Sequence, residues 1–148
     1  MQALSVKKLS DTNLNLAKKL LRVWFTQQEL PQLPSDEYLD QLLASPSFHI
    51  WIALMGDEVV GGLTGYELPL FTRPERELFL YELETSEKAR RKGVATALID
   101  AAKDFCRNSG IKIAYIPTEM ENTVARKFYE STQAKFEAVA WYTYKADE

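Results

Sequence analysis

The chain has 148 residues, 46% hydrophobic and 26% charged, with a net charge of −3; these are the proportions of one soluble domain able to bury roughly two thirds of its unfolded surface. The acidic balance and the lack of a basic tail argue against a nucleic-acid partner, whose phosphates demand clustered positive charge, and suit a cationic one. One cysteine and one histidine exclude an intrachain disulfide and a histidine-rich zinc site, so no metal is expected.

No apolar run reaches membrane-spanning length, and residues 1–10 carry lysines without an apolar segment. The expectation is a cytoplasmic protein with no signal peptide and no membrane partner. Residues 5–8 predict a short first strand. Residues 14–30 space Leu14, Ala17, Leu20, Leu21, Trp24 and Phe25 as one helical face, which Pro31 and Pro34 end. Ser35 predicts the cap of a second helix, with Asp36 and Glu37 at its positive end and Pro46 just beyond it. Phe48–Met55 and residues 59–68 predict a hairpin turning at Gly56-Asp57-Glu58. His49 reads as a structural strand residue, since no Gly-x-Ser-x-Gly elbow accompanies it.

Residues 69–76 read as a loop and 77–85 as a third strand. Strict alternation there puts Leu78, Leu80, Glu82 and Glu84 on one face and Phe79, Tyr81 and Leu83 on the other. Val94–Ser109 predicts a helix closed by Gly110, with Cys106 as a small core hydrophobe. A strand at 112–117, a helix at Thr123–Ser131 and a last strand or hairpin at 135–144 complete the order. The pattern β, α, α, β, β, β, α, β, α, β predicts a mixed α/β sheet with helices on both faces.

Between the third strand and the third helix runs Arg90-Arg91-Lys92-Gly93-Val94-Ala95-Thr96. A strand, a basic glycine loop and a helix start form a cradle for phosphate. The first helical N–H groups lack intrahelical partners, and the helix dipole adds positive potential there. The run lacks the Gly-Lys-Ser/Thr ending of a triphosphate P-loop and the glycine spacing of a dinucleotide fold.

Arg90-x-x-Gly93-x-Ala95 resembles the coenzyme A pyrophosphate loop of the GNAT N-acyltransferase superfamily. Asn122-x-x-Ala125-x-x-Phe128-Tyr129-Glu130 resembles that superfamily's second coenzyme A motif. The element order is similar to the GNAT fold, an α/β (α+β) arrangement with a mixed, mostly antiparallel central sheet, here as a single domain over 1–148. Residues 34–102 are similar to the aminoglycoside 3-N-acetyltransferases. The likeness rests on Ser35-Asp36-Glu37-Tyr38-Leu39, Val59-Val60-Gly61-Gly62, Tyr66-Glu67-Leu68-Pro69-Leu70-Phe71, Leu80-Tyr81-Glu82-Leu83 and the basic loop running on to Ile99. The chain departs from that family in having Glu82 where Asp is usual, Leu83-Glu84-Thr85 for Leu-Ala-Val, and Ser131-Thr132-Gln133 for Lys-Leu-Gly.

The resemblance implies acetyl-coenzyme A as cosubstrate, no metal, and direct acetyl transfer to a primary amine of a small polar or polycationic molecule, with aminoglycosides and an antibiotic-resistance role among the expectations. It assigns Glu82 as the base, with Glu84 as its competitor, and Tyr129 as the proton donor to the departing thiolate. Main-chain amides at Leu83 and Thr85 would hold the pantetheine arm. Arg90, Arg91, Lys92, Gly93, Val94, Ala95 and Thr96 would hold the pyrophosphate, with Asn122 assisting. Glu29, Tyr66, Glu67, Glu84 and Glu119 are the acceptor-binding candidates. Dimers are common among the resembling enzymes, so a homodimer is expected, with Trp141-Tyr142-Thr143-Tyr144 as interface or core. Two alternatives stand beside this reading: a protein or peptide N-acetyltransferase, and a non-catalytic acyl-coenzyme A binding module.

Overall fold

A computed structural model describes residues 2–27 and 32–148. These form two compact units, Met1–Pro117 and Thr118–Glu148. The first holds a five-stranded sheet in the order β1-β2-β3-β4-β5: β1 Leu4–Lys8, β2 Phe48–Met55, β3 Glu58–Pro69, β4 Arg76–Thr85 and β5 Ala114–Tyr115. The first four strands pair antiparallel, and β5 joins β4 in parallel. The mixed, mostly antiparallel sheet is therefore present.

Helices cover both faces. On one side lie α1 (Leu14–Gln27) and α2 (Asp36–Ala44), whose Leu20, Ala17 and Trp24 join Phe48, Ile50, Ile52 and Val59 in one core. Close approach needs Gly62, where an added Cβ would lie 2.3 Å from the Leu20 side chain. Ser35 caps α2 as expected, its hydroxyl accepting from the Tyr38 N–H at 3.1 Å. On the other face α3 (Val94–Ser109) buries Val94, Leu98, Ile99, Ala102 and Cys106 and ends at Gly110, φ +73.

One register shift decides the site. Thr64 of β3 pairs with Glu82, and the next residue, Gly65, pairs with Leu80, so Tyr81 is an extra residue in β4. Such a bulge breaks the two-residue period. Leu78 and Leu80 are buried, while Tyr81 meets the Tyr66 ring and Glu82 meets Thr64 on the α1–α2 face. The alternation expected for 77–85 is thus corrected: Glu82 does not share a face with Leu78 and Leu80.

Two further expectations change. The strand expected at 112–117 shortens to Ala114–Tyr115. Residues 135–144 form no strand. The second unit contains α4 (Thr123–Ser131), after which Phe136 packs under the Arg126 guanidinium at 4.7 Å. The aromatic run beyond it has strand propensity but no ladder partner among the described residues, and a strand is stable only when its backbone groups are paired.

Candidate active site

A 3-10 turn at Glu87–Ala89 leads from β4 into the basic loop, which opens directly into α3. Arg91 at φ +62 and Gly93 at φ +79 both take the left-handed conformation. Alternating conformations of this kind turn successive N–H groups toward one concavity that binds anions. Gly93 occupies the N-cap position and offers no side chain to cap the helix. An added Cβ there would meet nothing within 4 Å, so the space above the helix start is open. The side chains of Arg90, Arg91, Lys92 and Thr96 are exposed, whereas that of Val94 is core. Val94 and Ala95 can serve an anion only through their main chain. The cradle fits a pyrophosphate group: open amides, helix dipole and three flanking cations.

Beside this loop, β4 pairs with β5 only at Leu78 and Phe79. From Leu80 to Thr85 no strand lies along that edge among the described residues. An extended arm could add there by main-chain bonding, as expected for Leu83 and Thr85, which are half-buried and pair with Leu63 and Gly61 of β3.

Glu82 projects from the bulge and is exposed. One carboxylate oxygen, Oε1, accepts from the Thr64 hydroxyl at 2.8 Å. The Glu82 backbone N–H donates to that same hydroxyl oxygen at 3.2 Å. Tyr66 and Tyr81 stand beside it with ring centroids 6.1 Å apart. Burial pushes the Tyr66 phenol above its ordinary pKa, and the Glu82 carboxylate and the Tyr38 and Tyr81 phenols add to the effect. The structure thus gathers Tyr38, Tyr66, Tyr81 and Glu82 on one side of the sheet. Thr64 and Tyr81 went unread in the sequence; a lone hydroxyl inside Gly61-Gly62-Leu63-Thr64-Gly65 was the available signal.

In the second unit, Asn122 caps α4, its side-chain oxygen accepting from the Ala125 N–H at 3.0 Å. That bond gives the asparagine a structural task of its own. Tyr129 is half-buried on α4 with its ring 5.3 Å from Phe128, and burial raises its pKa. It therefore holds its proton at neutral pH, as a donor must.

The acceptor-binding candidates divide. Tyr66 lies beside Glu82. Glu84 follows on β4, where its carbonyl accepts from the Trp24 indole at 3.2 Å. Glu119 is exposed in the second unit, and Glu29 lies outside the described residues. Glu67 is corrected. Its side chain lies on the α3 face, with Oε1 2.7 Å from His49 Nε2 and Oε2 2.5 Å from Arg76. Arg76 also donates to the Ser109 carbonyl at the end of α3, at 2.7 Å. Both Glu67 oxygens are engaged within the fold, by His49 and Arg76.

An acetyltransferase (GNAT) family model matches residues 15–133. The chain belongs to the GNAT acetyltransferase family. That family uses acetyl-coenzyme A. A solved aminoglycoside acetyltransferase, meta-AAC0020 from an uncultured soil metagenomic sample, in complex with sisomicin, is 25% identical; the match covers 96% of each chain with a TM-score of 0.88. A second aminoglycoside acetyltransferase, HMB0005, also from an uncultured soil metagenomic sample, is 28% identical over 97% of this GNAT chain and 99% of its own, with a TM-score of 0.86. The L-2,4-diaminobutyric acid acetyltransferase of Methylotuvimicrobium alcaliphilum is 36% identical over 72 residues, 48% of this chain. The match spans 40% of that curated relative's length.

Proposed function

We propose that this GNAT chain is an acetyl-coenzyme A-dependent N-acetyltransferase acting on a primary amine of a small polar or polycationic molecule, with aminoglycosides the first class to test. The observation that carries the reading is Glu82, held on a bulge of the strand whose open edge leads into the anion cradle at Arg90–Thr96. The family match across 15–133 spans both compact units and supports one functional domain. Similar structures named as aminoglycoside acetyltransferases, and a diaminobutyric acid acetyltransferase, support an amine acceptor.

When bound, acetyl-coenzyme A supplies an acetyl group activated as a thioester. The chain's own tasks follow from proton bookkeeping. An alkylammonium acceptor with a pKa near ~10 is mostly protonated at neutral pH and must lose a proton to attack. Glu82 receives that proton, directly or through one water. The amine nitrogen bonds to the acetyl carbon as the carbon–sulfur bond breaks, Tyr129 donates its hydroxyl proton to the departing sulfur, and the second proton shed by the acylated nitrogen restores the Tyr129 phenol, directly or through water. Arg90, Arg91, Lys92 and the amides of Gly93 to Thr96 hold the pyrophosphate. Tyr66 and Tyr81 present aromatic faces that attract a cation before it is deprotonated. The exposed Trp141, Tyr142 and Tyr144 support the homodimer that forms part of this proposal.

Thiol release from acetyl-coenzyme A, measured across aminoglycosides, diamines and amino-terminal peptides, tests the reading. Turnover with a small amine is expected. Release with peptides alone would move the acceptor class, and binding without release from any amine would leave an acyl-coenzyme A binding module.

A further inference from the structure

Thr64 is one of three buried polar residues found in the described chain, 4% exposed and surrounded by glycine and apolar neighbours on β3. A buried hydroxyl is costly unless its hydrogen-bonding capacity is met. Both of its hydrogen bonds here run to one residue. The Thr64 O–H donates to Glu82 Oε1, and the Thr64 hydroxyl oxygen accepts from the Glu82 backbone N–H. A valine would pack in the same volume, so the hydroxyl's contribution is specific to Glu82.

The placement matters because of the bulge. Skipping Tyr81 leaves β4 locally irregular where Glu82 emerges, and an exposed carboxylate on an irregular strand has many rotamers open to it. Thr64 ties the main chain and the side chain of Glu82 to one point on the regular strand. Its own β-branched side chain is stiff at χ1, so the point is fixed. The bond to Thr64 engages one carboxylate oxygen, Oε1. We infer that Thr64 is a positioning residue that clamps the Glu82 carboxylate on the bulge and leaves Oε2 to receive the acceptor's proton. The inference rests on the base role proposed above for Glu82.

The test compares Thr64→Val, Thr64→Ser and Glu82→Gln in the full chain, with steady-state kinetics on a turned-over amine and calorimetric binding of acetyl-coenzyme A. Thr64→Val should lower kcat about tenfold or more, the scale set by a small misplacement of a reacting group. The acceptor KM and acetyl-coenzyme A affinity should stay within about threefold, because neither the cradle nor the aromatic walls are touched. Thr64→Ser should recover most of kcat, since it keeps both bonds. If Thr64→Val does not melt cooperatively, Thr64→Cys, close in volume and only a weak donor, takes its place with the same expectation. Equal loss in the valine and serine variants would overturn the inference, because the missing methyl and not the hydroxyl would then matter. So would a valine variant with near-normal kcat alongside an inactive Glu82→Gln. Full turnover in Glu82→Gln would instead overturn the base reading itself.

Discussion

Glu67 and Glu82 lie on neighbouring strands of the same sheet, yet their carboxylates meet opposite surroundings. Glu67 is nearly enclosed on the α3 face, its side chain 12% exposed, with one oxygen on His49 and the other on Arg76. Glu82 is exposed on the α1–α2 face, with one oxygen on a neutral hydroxyl. Burial alone would push the Glu67 carboxyl up, but hydrogen bonds and charge from His49 and Arg76 outweigh it and hold it below the ordinary value. A carboxylate with both oxygens bound in this way works for stability. One with an oxygen open to solvent is equipped to take up and release a proton. The sequence offered Glu82 as the base and Glu67 as an acceptor-binding carboxylate, and strand register puts them on opposite faces.

Breaking the Glu67 network should have the larger effect on stability. Glu67→Ala strands the buried His49 N–H and removes the anchor of Arg76, which also holds the last carbonyl of α3. Chemical denaturation should show a loss of about 2 kcal/mol, the scale of an unsatisfied buried donor. At a temperature where the variant remains folded, kcat should stay within about twofold of the parent. A variant that keeps its stability and loses turnover would erase the contrast.

Acid sharpens the same contrast. His49 Nε2 faces a carboxylate, which only accepts, so the neutral ring carries its proton there. Nδ1 is buried without a partner, so protonation would create a stranded N–H. Burial lowers the His49 pKa below its ordinary 6.5; the Glu67 hydrogen bond opposes this, and the positive charges of Lys8 and Arg76 add to it. A base with a depressed folded pKa binds protons more readily when unfolded, so stability should fall as pH drops below about 6.5. Glu67, whose folded pKa is also depressed, contributes stability above its ordinary 4.5 that is lost as pH falls through the folded value. Both trends run the same way. Thermal melts from pH 8 to 4 should decline below pH 6.5, first through His49 and then, at lower pH, through Glu67. His49→Gln should flatten the upper part of that decline and leave the lower part. A flat parent profile between pH 7 and 5.5 would contradict the His49 assignment.

The smallest stability effect belongs to Glu82→Gln. The side chain is exposed, and the amide oxygen can still accept from Thr64, so denaturation should change by no more than about 0.5 kcal/mol.

Much of this was legible in the sequence because it depends on local chemistry. Helix α3 was bounded by Val94 and Gly110, α2 by the Ser35 cap, and the cradle by a basic glycine loop before a helix. The register shift at Tyr81 was not legible. Alternation is a property of one strand, whereas a bulge arises from pairing with another, and only the β3 partner reveals that Gly65 meets Leu80. Thr64 was missed for the same reason, since its role exists only across the pair. Glu67 read as an acceptor carboxylate because its partners, His49 and Arg76, are 18 and 9 residues away along the chain. The final aromatic segment had the right residues for a strand and no partner alongside. The Ser131-Thr132-Gln133 departure was visible, but its consequence was not: Gln133 takes φ +69, a conformation that glycine adopts more readily.

The most direct measurement is the turnover of Glu82→Gln with acetyl-coenzyme A and an amine that the parent acetylates, alongside the variant's affinity for acetyl-coenzyme A. The account predicts a loss of kcat of about 10² to 10⁴, the usual contribution of a general base, with affinity and melting temperature unchanged. A variant that turns over at the parent's rate would contradict it, and the proton would then have to leave by another group.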